Sequence, residues 1–471
     1  MPYPEGCHRG ILGLVVLLGM TSLFGSVAGC RGPTVILDEV LPYGLPRAAT
    51  DARQWAWQLP NGESGAEQLE AEPEPEPEQD GARDWRDVRI WYVTDREPVW
   101  WHRGGGHRKF AHAFGTDRLS GITWGIAKLR VRDRFEPLDD EPLYEPDAAV
   151  AIVKHPPVDD SGEREADDGA VAQMAGSRNF APLPYADHLA FGEALRSSAR
   201  DLAERQAEPV HFLIYVPGYR TTFAEAAEDF AQIIHATDFQ GVPILYSWPT
   251  QHRALDYLGD RESALWSADK LRELVTLIAD EVDNRQRSIS IISHSSGATV
   301  VGEALRVIDV QEAARDREPR RHVINQIIMA AADVDRDIFF DRYAEALRQV
   351  AARTTIYVNK RDTVLRLSAV IRRPTGRPME RLGGGWTDAT PFWQRSEALR
   401  NDRGQRLGRI DWADVTNLRQ SLMGHDYHVR SPEVAWDMKH ALQGYPPEAR
   451  LLLPRDTRPY ALRYWEIPGD R

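Results

Sequence analysis

Three side chains whose types together can make a hydroxyl reactive stand at Ser295, Asp362 and His425. A serine hydroxyl is a poor nucleophile until a histidine accepts its proton, and that histidine works best when a carboxylate fixes its tautomer and orientation. Ser295 lies in Ser293-His294-Ser295-Ser296-Gly297, after the apolar run Ile289, Ile291 and Ile292 and before a helical pattern of Val300, Val301, Ala304, Leu305 and Ile308. Strand, sharp turn and helix are expected, with Ser295 at the tip. The small residues Ser293 and Gly297, two positions before and two after, keep such a turn free of collision. Ser296 opens the helix and offers its backbone N–H to a developing oxyanion. The plainer reading of the same stretch is a Ser/Gly-rich helix cap.

The acid and the base each have rivals. Asp333 and Asp335 also follow a strand pattern, and their plainer role is the N-cap of the next helix. Asp362 follows the later strand, 354–359. His428 and His440 compete with His425; His440 falls within a helical pattern at 432–442, whereas His425 follows Gly424 in a loop, where a base can reach its nucleophile. A second oxyanion donor is expected from Pro217-Gly218-Tyr219-Arg220, with the Tyr219 N–H best placed. The histidines His102, His107 and His112 have no helical ligand spacing and no cysteine or carboxylate cluster beside them, so neither a metal nor an organic cofactor is expected.

The elements that must position these residues alternate from 210 onward as in a mostly parallel sheet flanked by helices. The strand 211–216 leads to a capping box at Thr222 and Glu225 and a helix with Phe223, Phe230, Ile233 and Ile234 inward. The strand 242–247 ends in Trp248-Pro249. A long helix follows with Leu271, Leu274, Val275, Ile278 and Val282 on one face; its start carries Asp260, Arg261 and Glu262. After the Ser295 turn come a strand at 322–332, a helix to about 353, the strand 354–359, an excursion at 373–408, a last strand at 409–415 and a closing helix at 432–442. Trp386, Phe392 and Trp393 in the excursion suit an apolar wall for a substrate or, equally, anchors for a long loop. Upstream, Val88, Ile90, Tyr92 and Thr94 alternate as an extra N-terminal strand, 122–131 offers a second, and a Gly/His-rich loop at 100–112 joins them. The charged, Gly/Ala-rich stretch at about 157–178 reads as a mobile insertion. The expected class is α/β, with the folded domain at 86–471.

With 58 Lys and Arg against 71 Asp and Glu, the net charge of −13 argues against a nucleic-acid partner. Both cysteines, Cys7 and Cys30, precede the folded body, which excludes a disulfide framework there. His8 and Arg9, an apolar run at 11–24 and Val27-Ala28-Gly29-Cys30 resemble a bacterial lipoprotein signal. That resemblance implies removal of residues 1–29 and a lipid on Cys30, each buried acyl CH₂ contributing about 0.8 kcal/mol to membrane attachment. Arg31 rather than aspartate after the cysteine favours the periplasmic side of the outer membrane in a Gram-negative host. Residues 30–85 include Glu-Pro-Glu-Pro-Glu-Pro-Glu from Glu72 to Glu78, a composition that extends a chain and denies it a core, so they read as a disordered tether.

From about Val88 to the C-terminus the chain resembles esterase/lipase-superfamily enzymes classed as an α/β-hydrolase family of unknown function. The matching residues are Thr94-Asp95-Arg96, Gly218-Tyr219, Ser247-Trp248-Pro249, Asp260-Arg261-Glu262-Ser263-Ala264, His294-Ser295 with Gly297, Asp333-Val334-Asp335, Arg361-Asp362 and Gly424-His425. The resemblance implies the α/β-hydrolase fold, with Ser295, Asp362 and His425 as nucleophile, acid and base in that order. Two motifs depart from it. The family usually has His-Gly-Tyr-Asn where this chain has Pro217-Gly218-Tyr219-Arg220, and Ala-His-Ser-Met-Gly where it has Ser293 to Gly297. The expected activity is hydrolysis of a small-molecule or lipid carboxylic ester at the cell envelope. A hydrolase fold kept as a binding or scaffold module is the alternative, and acyl transfer to an acceptor other than water uses the same three residues.

Overall fold

The segment Val-His-Phe-Leu-Ile-Tyr-Val at 210–216 is apolar on both faces of its pleat, and such a strand is stable only between two layers. The computed structural model describes residues 85–102, 108–132, 149–154, 185–205, 210–251, 257–281, 287–315, 323–372, 379–385, 395, 409–418, 423–457 and 462–469. Its strands are β1 (Trp85–His102), β2 (Arg108–Arg132), β3 (Ala149–Lys154), β4 (Val210–Val216), β5 (Val242–Ser247), β6 (Arg287–His294), β7 (Ile324–Ala330), β8 (Ala351–Val358), β9 (Arg409–Asp414), β10 (Leu453–Thr457) and β11 (Leu462–Glu466). The helices are α1 (Tyr185–Arg205), α2 (Phe223–Thr237), α3 (Tyr257–Glu281), α4 (Gly297–Ala313), α5 (Ala344–Val350), α6 (Thr363–Arg372), α7 (Tyr427–Arg430) and α8 (Pro432–Leu442).

One sheet carries all eleven strands in the order β10-β11-β9-β8-β7-β6-β4-β5-β1-β2-β3. Neighbours from β11 to β1 run parallel, and antiparallel pairs finish the two margins, β10 with β11 on one side and β1 with β2 with β3 on the other. The pleat sends Phe212, Ile214 and Val216 into one core with Leu271, Leu274, Val275 and Ile278 of α3 and Val300, Val301 and Ala304 of α4. Leu213 and Tyr215 point the other way, to Phe230 and Ile233 of α2 and Val434 and Met438 of α8. The capping box is present: Glu225 N donates to Thr222 Oγ1 at 3.1 Å, and Thr222 N donates to Glu225 Oε2 at 2.7 Å. Among the described residues no helix is long and apolar enough to cross a membrane.

Four expectations need correction. Within the 100–112 stretch, 100–102 and 108–112 are strand, because Trp100 and Trp101 pair with Phe110 and Lys109 across a long β1–β2 ladder. Register shifts around Arg96, Pro98 and Trp100 accommodate Pro98 within the ladder. β3 and the pair β10 and β11 lie outside the expected strand set, so β9 is not the last strand and α8 does not close the domain. β10 reads Leu-Pro-Arg-Asp-Thr, without the apolar alternation that marks a half-buried strand. The helix expected to about 353 stops at Val350, after a short turn at Arg336–Ile338 and a π-helical turn at Phe339–Tyr343, and β8 begins at Ala351. The Cys30 signal, the tether up to residue 84, the insertion at 157–178, His107, Val282, Trp386, Phe392 and Trp393 lie outside the described residues.

Candidate active site

Ser295, Asp362 and His425 each follow a parallel strand, β6, β8 and β9 in turn. β6 delivers Ser295, which takes φ 50, a left-handed backbone that a non-glycine residue adopts only where the surroundings enforce it. Those surroundings are two backbone hydrogen bonds: Ser295 N donates to Ala330 O, and Asp333 N donates to Ser295 O, each at 3.0 Å. Both tie the turn to the end of β7. Gly297 lies against the β4 loop so closely that a Cβ there would stand 2.5 Å from Pro217 O and 2.6 Å from Val216 O. Gly218 answers from the other side, where a Cβ would stand 2.8 Å from Ser295 Cβ. The two glycines let the serine turn and the β4 loop touch backbone to backbone.

β8 delivers Asp362, which uses its two oxygens separately. Oδ1 caps α6 by accepting from Leu365 N at 2.9 Å, and Oδ2 meets His425 Nδ1 at 2.7 Å. The loop carrying His425 is fastened to the same strand end: Asn359 Nδ2 donates to Gly424 O at 2.5 Å, and Thr363 N donates to Met423 O at 3.1 Å. Gly424 takes φ 64 to make that approach. Burial lowers the affinity of the His425 ring for a proton, but the Asp362 charge and hydrogen bond, helped by Asp333 and Asp426, outweigh it and leave its pKa raised. Ser295 Oγ and His425 Nε2 are not hydrogen-bonded to each other, and neither has another partner among the described residues. Bonds of this kind commonly tighten only when substrate is bound.

The rival residues have other work. Asp335 caps the Arg336–Ile338 turn, accepting from Asp337 N and Ile338 N. Asp333 is buried under Arg381, whose Nε reaches its Oδ1 at 2.6 Å and whose second guanidinium nitrogen reaches its backbone oxygen at 2.6 Å; Ser368 Oγ donates to Oδ1 at 2.7 Å. His428 is buried against Tyr215, with Nε2 3.3 Å from the phenol oxygen, and burial pushes its pKa down to about 3. His440 Nδ1 meets Trp436 O on α8. Of the three histidines, His425 is the one paired with Asp362.

A family model described as an alpha/beta hydrolase of unknown function matches residues 195–444, the span that holds the serine turn, the acid and the histidine. The chain belongs to this family. No curated protein matches the sequence. Among solved structures it is similar to a metagenomic carboxyl esterase, at 14% identity and a TM-score of 0.20 over 45% of this chain and 50% of that one. It is also similar to the phospholipase PlaB from Legionella pneumophila in complex with thio-NAD, at 12% identity and a TM-score of 0.28 over 55% of this chain and 67% of that one. The chain thus spans about half the length of the metagenomic esterase.

In this α/β-hydrolase the two oxyanion donors expected from the sequence, Ser296 and Tyr219, lie at the start of α4 and in the β4 loop. Ser296 is the N-cap of α4, makes no side-chain cap, and its N–H has no acceptor among the described residues. The side chain of Ser296 donates to Asp333 Oδ2 at 3.5 Å. Parallel pairing of β4 with β6 aligns Val216 with Ser293, so Tyr219 comes to the same sheet end as Ser295. Pro217 donates nothing, yet its carbonyl accepts from Trp248 Nε1 at 2.8 Å and is fixed by it. Arg220, where the family usually has asparagine, takes φ 58, a conformation asparagine tolerates better.

Two buried networks support that loop and the histidine, and no role for either follows from the sequence alone. Arg96 is fully buried and spreads its guanidinium over three elements: Nε to Ser247 Oγ at 2.9 Å, one terminal nitrogen to Gly115 O at 3.1 Å and the other to Thr221 O at 2.6 Å. Asp95 beside it accepts from Ser267 Oγ at 2.6 Å and Tyr246 OH at 3.2 Å, and burial raises its pKa to about 6. His294 Nε2 meets His425 O at 3.2 Å, and its ring stacks on His428 at 4.0 Å between centroids. Burial, with His428 and His425 alongside, pushes the His294 pKa well below its ordinary value. The neutral ring must carry its proton on Nε2, because a carbonyl only accepts. The signals available were the charged Thr94-Asp95-Arg96 in an otherwise apolar strand and a histidine beside the serine. Among the described residues no group of three or more His, Cys, Asp or Glu is arranged to hold a metal ion.

Proposed function

We propose that this α/β-hydrolase is a serine hydrolase that cleaves carboxylic esters. The observation that carries the reading is the 2.7 Å contact of His425 Nδ1 with Asp362 Oδ2 at the sheet end where Ser295 occupies a left-handed turn. Asp362 holds Nδ1 protonated, which leaves Nε2 as the base. As Ser295 Oγ bonds to the acyl carbon, its proton passes to His425 Nε2 and the carbonyl oxygen becomes an oxyanion. The N–H groups of Ser296 and Tyr219 receive that charge, and the positive end of α4 adds to it. Collapse of the adduct breaks the bond to the leaving oxygen, which takes the proton from Nε2. A water then attacks the acyl-serine, with His425 as base again, and the acid is released as Ser295 regains its proton.

The same proposal attaches the enzyme to a bacterial envelope membrane through a lipid on Cys30, in a Gram-negative host the periplasmic side of the outer membrane. The test has two parts. Membranes bearing the full chain should hydrolyse a series of p-nitrophenyl esters, and Ser295→Ala should not; equal turnover by both would sink the serine mechanism. Cells fed an alkyne fatty acid should label the wild type and not Cys30→Ser, and labelling of both would remove the anchor.

A further inference from the structure

Close to Ser296 the molecule holds a cavity of about 620 Å³ between α3, α4 and the segments at 334–343 and 379–381. A narrow neck of about 10 Å³, lined by Asp260, Arg261, Ala264, Ser296, Thr299 and Arg372, lies between them. Arg261, Thr299 and Arg372 line both spaces, so one polar track leads from the candidate oxyanion donor into the cavity.

The lining holds six arginines and six carboxylates, and Arg372 and Arg381 also meet Asp333 at 3.6 and 2.6 Å, so the charges balance in number but not in pairing. Glu303 is met by Arg306 Nε at 2.7 Å, Arg342 at 2.8 Å and Tyr343 OH at 3.0 Å. Glu380 is paired with Arg336, Asp337 with Arg395, and Asp335 caps a helical turn. Asp269 lies 3.8 Å from Arg272 Nε, and Asp260 in the neck turns both oxygens to Gln251 N at 3.1 Å. Against these satisfied carboxylates, Arg261 at the neck has no hydrogen-bond or ion-pair partner among the described residues. Arg381, which lines the cavity, is 4% exposed, and its Nη1 is buried with no acceptor. A buried guanidinium donor left unpaired is costly, which marks this wall of the cavity as rich in positive charge.

We propose that this track is a subsite for an anionic group, a carboxylate or a phosphate, carried by the ester substrate. The anion sits against Arg261, Arg372 and Thr299 at the neck, with the remainder of that substrate arm in the cavity that Arg381 lines. Arg261 is exposed and Arg372 half-buried, so the neck can widen by side-chain rotation without moving the backbone. The ester carbonyl then lies at Ser295 and Ser296. Catalytic use of the subsite rests on the esterase reading; anion binding does not.

Two arms test it on the full chain in detergent. In the first, inorganic phosphate and succinate are titrated against wild type and Arg261→Gln at constant ionic strength set with NaCl, and thermal unfolding is followed. The proposal expects one or both anions to raise the wild-type Tm in a saturable way and Arg261→Gln to weaken that binding at least fivefold. Equal shifts in both proteins, or none in either, overturn it; which anion acts distinguishes carboxylate from phosphate. In the second arm, kcat/KM for p-nitrophenyl hemisuccinate is compared with that for p-nitrophenyl butyrate. A preference for the charged ester that falls at least fivefold in Arg261→Gln through KM, with butyrate turnover unchanged, supports the subsite as one for substrate. No preference removes that use. Absence of any ester turnover together with a saturable, Arg261-dependent Tm shift would instead fault the esterase reading and leave the anion site standing.

Discussion

Gly218→Ala tests whether the contact between the β4 loop and the serine turn sets the chemistry. Gly218 does not occupy the left-handed backbone region, so alanine is not excluded by its torsions and the effect comes from space alone. The new Cβ would stand 2.8 Å from Ser295 Cβ and 3.0 Å from His294 Nδ1. Carbon atoms pack at about 3.5–4.0 Å, so the loop and the turn must part by roughly 1 Å. A displacement of about 1 Å at a reacting centre costs about 10²-fold in rate, and loss of one oxyanion donor about 10² to 10³-fold. The expected result is a fall in kcat of about 10²-fold with little change in KM, and a stability loss of about 1–3 kcal/mol from overpacking. Gly384→Ala is the control, since a Cβ there meets only Leu365 Cβ at 4.0 Å. The assay is p-nitrophenyl ester turnover with urea unfolding on the same preparations. A folded Gly218→Ala protein working within threefold of wild type would refute the reasoning.

Asp362→Asn should lower kcat about 10⁴-fold, because an amide no longer stabilises the imidazolium or fixes its tautomer, and the acid limb of any residual kcat/KM profile should move to lower pH as the raised His425 pKa relaxes; an unmoved limb would assign that pKa to another group. Arg96→Met leaves Ser247 Oγ, Gly115 O and Thr221 O without their donor, so unfolding free energy should drop by about 3–5 kcal/mol in urea titrations, and Arg96→Lys should not restore it because an ammonium cannot reach three acceptors set apart in this way. His428 has a folded pKa of about 3 against an ordinary 6.5, so between those values the unfolded chain binds the extra proton and stability rises with pH. Compared with His428→Gln, the wild type should therefore lose about 2 kcal/mol more on going from pH 7 to pH 5, at about 1.4 kcal/mol per unit below 6.5; parallel pH profiles for the two proteins would show that the ring is not held neutral.

Much of the central sheet could be read from the chain because its strands announce themselves. β4, β5 and β6 are short apolar runs, and each ends in a residue pattern that forbids continuation: Pro217-Gly218, Trp248-Pro249 and Ser293 to Gly297. The margins were harder, since β10 lacks an apolar alternation and the long β1–β2 ladder passes through Pro98 with shifts of register. Within the site, residue order and strand ends point to Ser295, Asp362 and His425 but leave Asp333, Asp335, His428 and His440 as rivals. The Asp362–His425 contact itself depends on Asn359 and Thr363 gripping the Met423 and Gly424 carbonyls, which no local pattern encodes. Arg96 and His294 stand out in the sequence only as parts of matching motifs, because what they do is decided by carbonyls 125 and 131 residues away. Arg261 read as part of a charged helix start, a role that many arginines fill without facing a cavity.

The central claim is that Ser295 is an activated nucleophile. A fluorophosphonate probe reacts with such a serine through the same attack on an electrophilic centre, so the decisive measurement is labelling of the purified chain followed by mass spectrometry of the modified peptide. The account predicts one adduct, on Ser295, formed faster as pH rises through the raised His425 pKa and absent from Ser295→Ala. A folded wild type that takes up no probe, or takes it up on another serine, would contradict it.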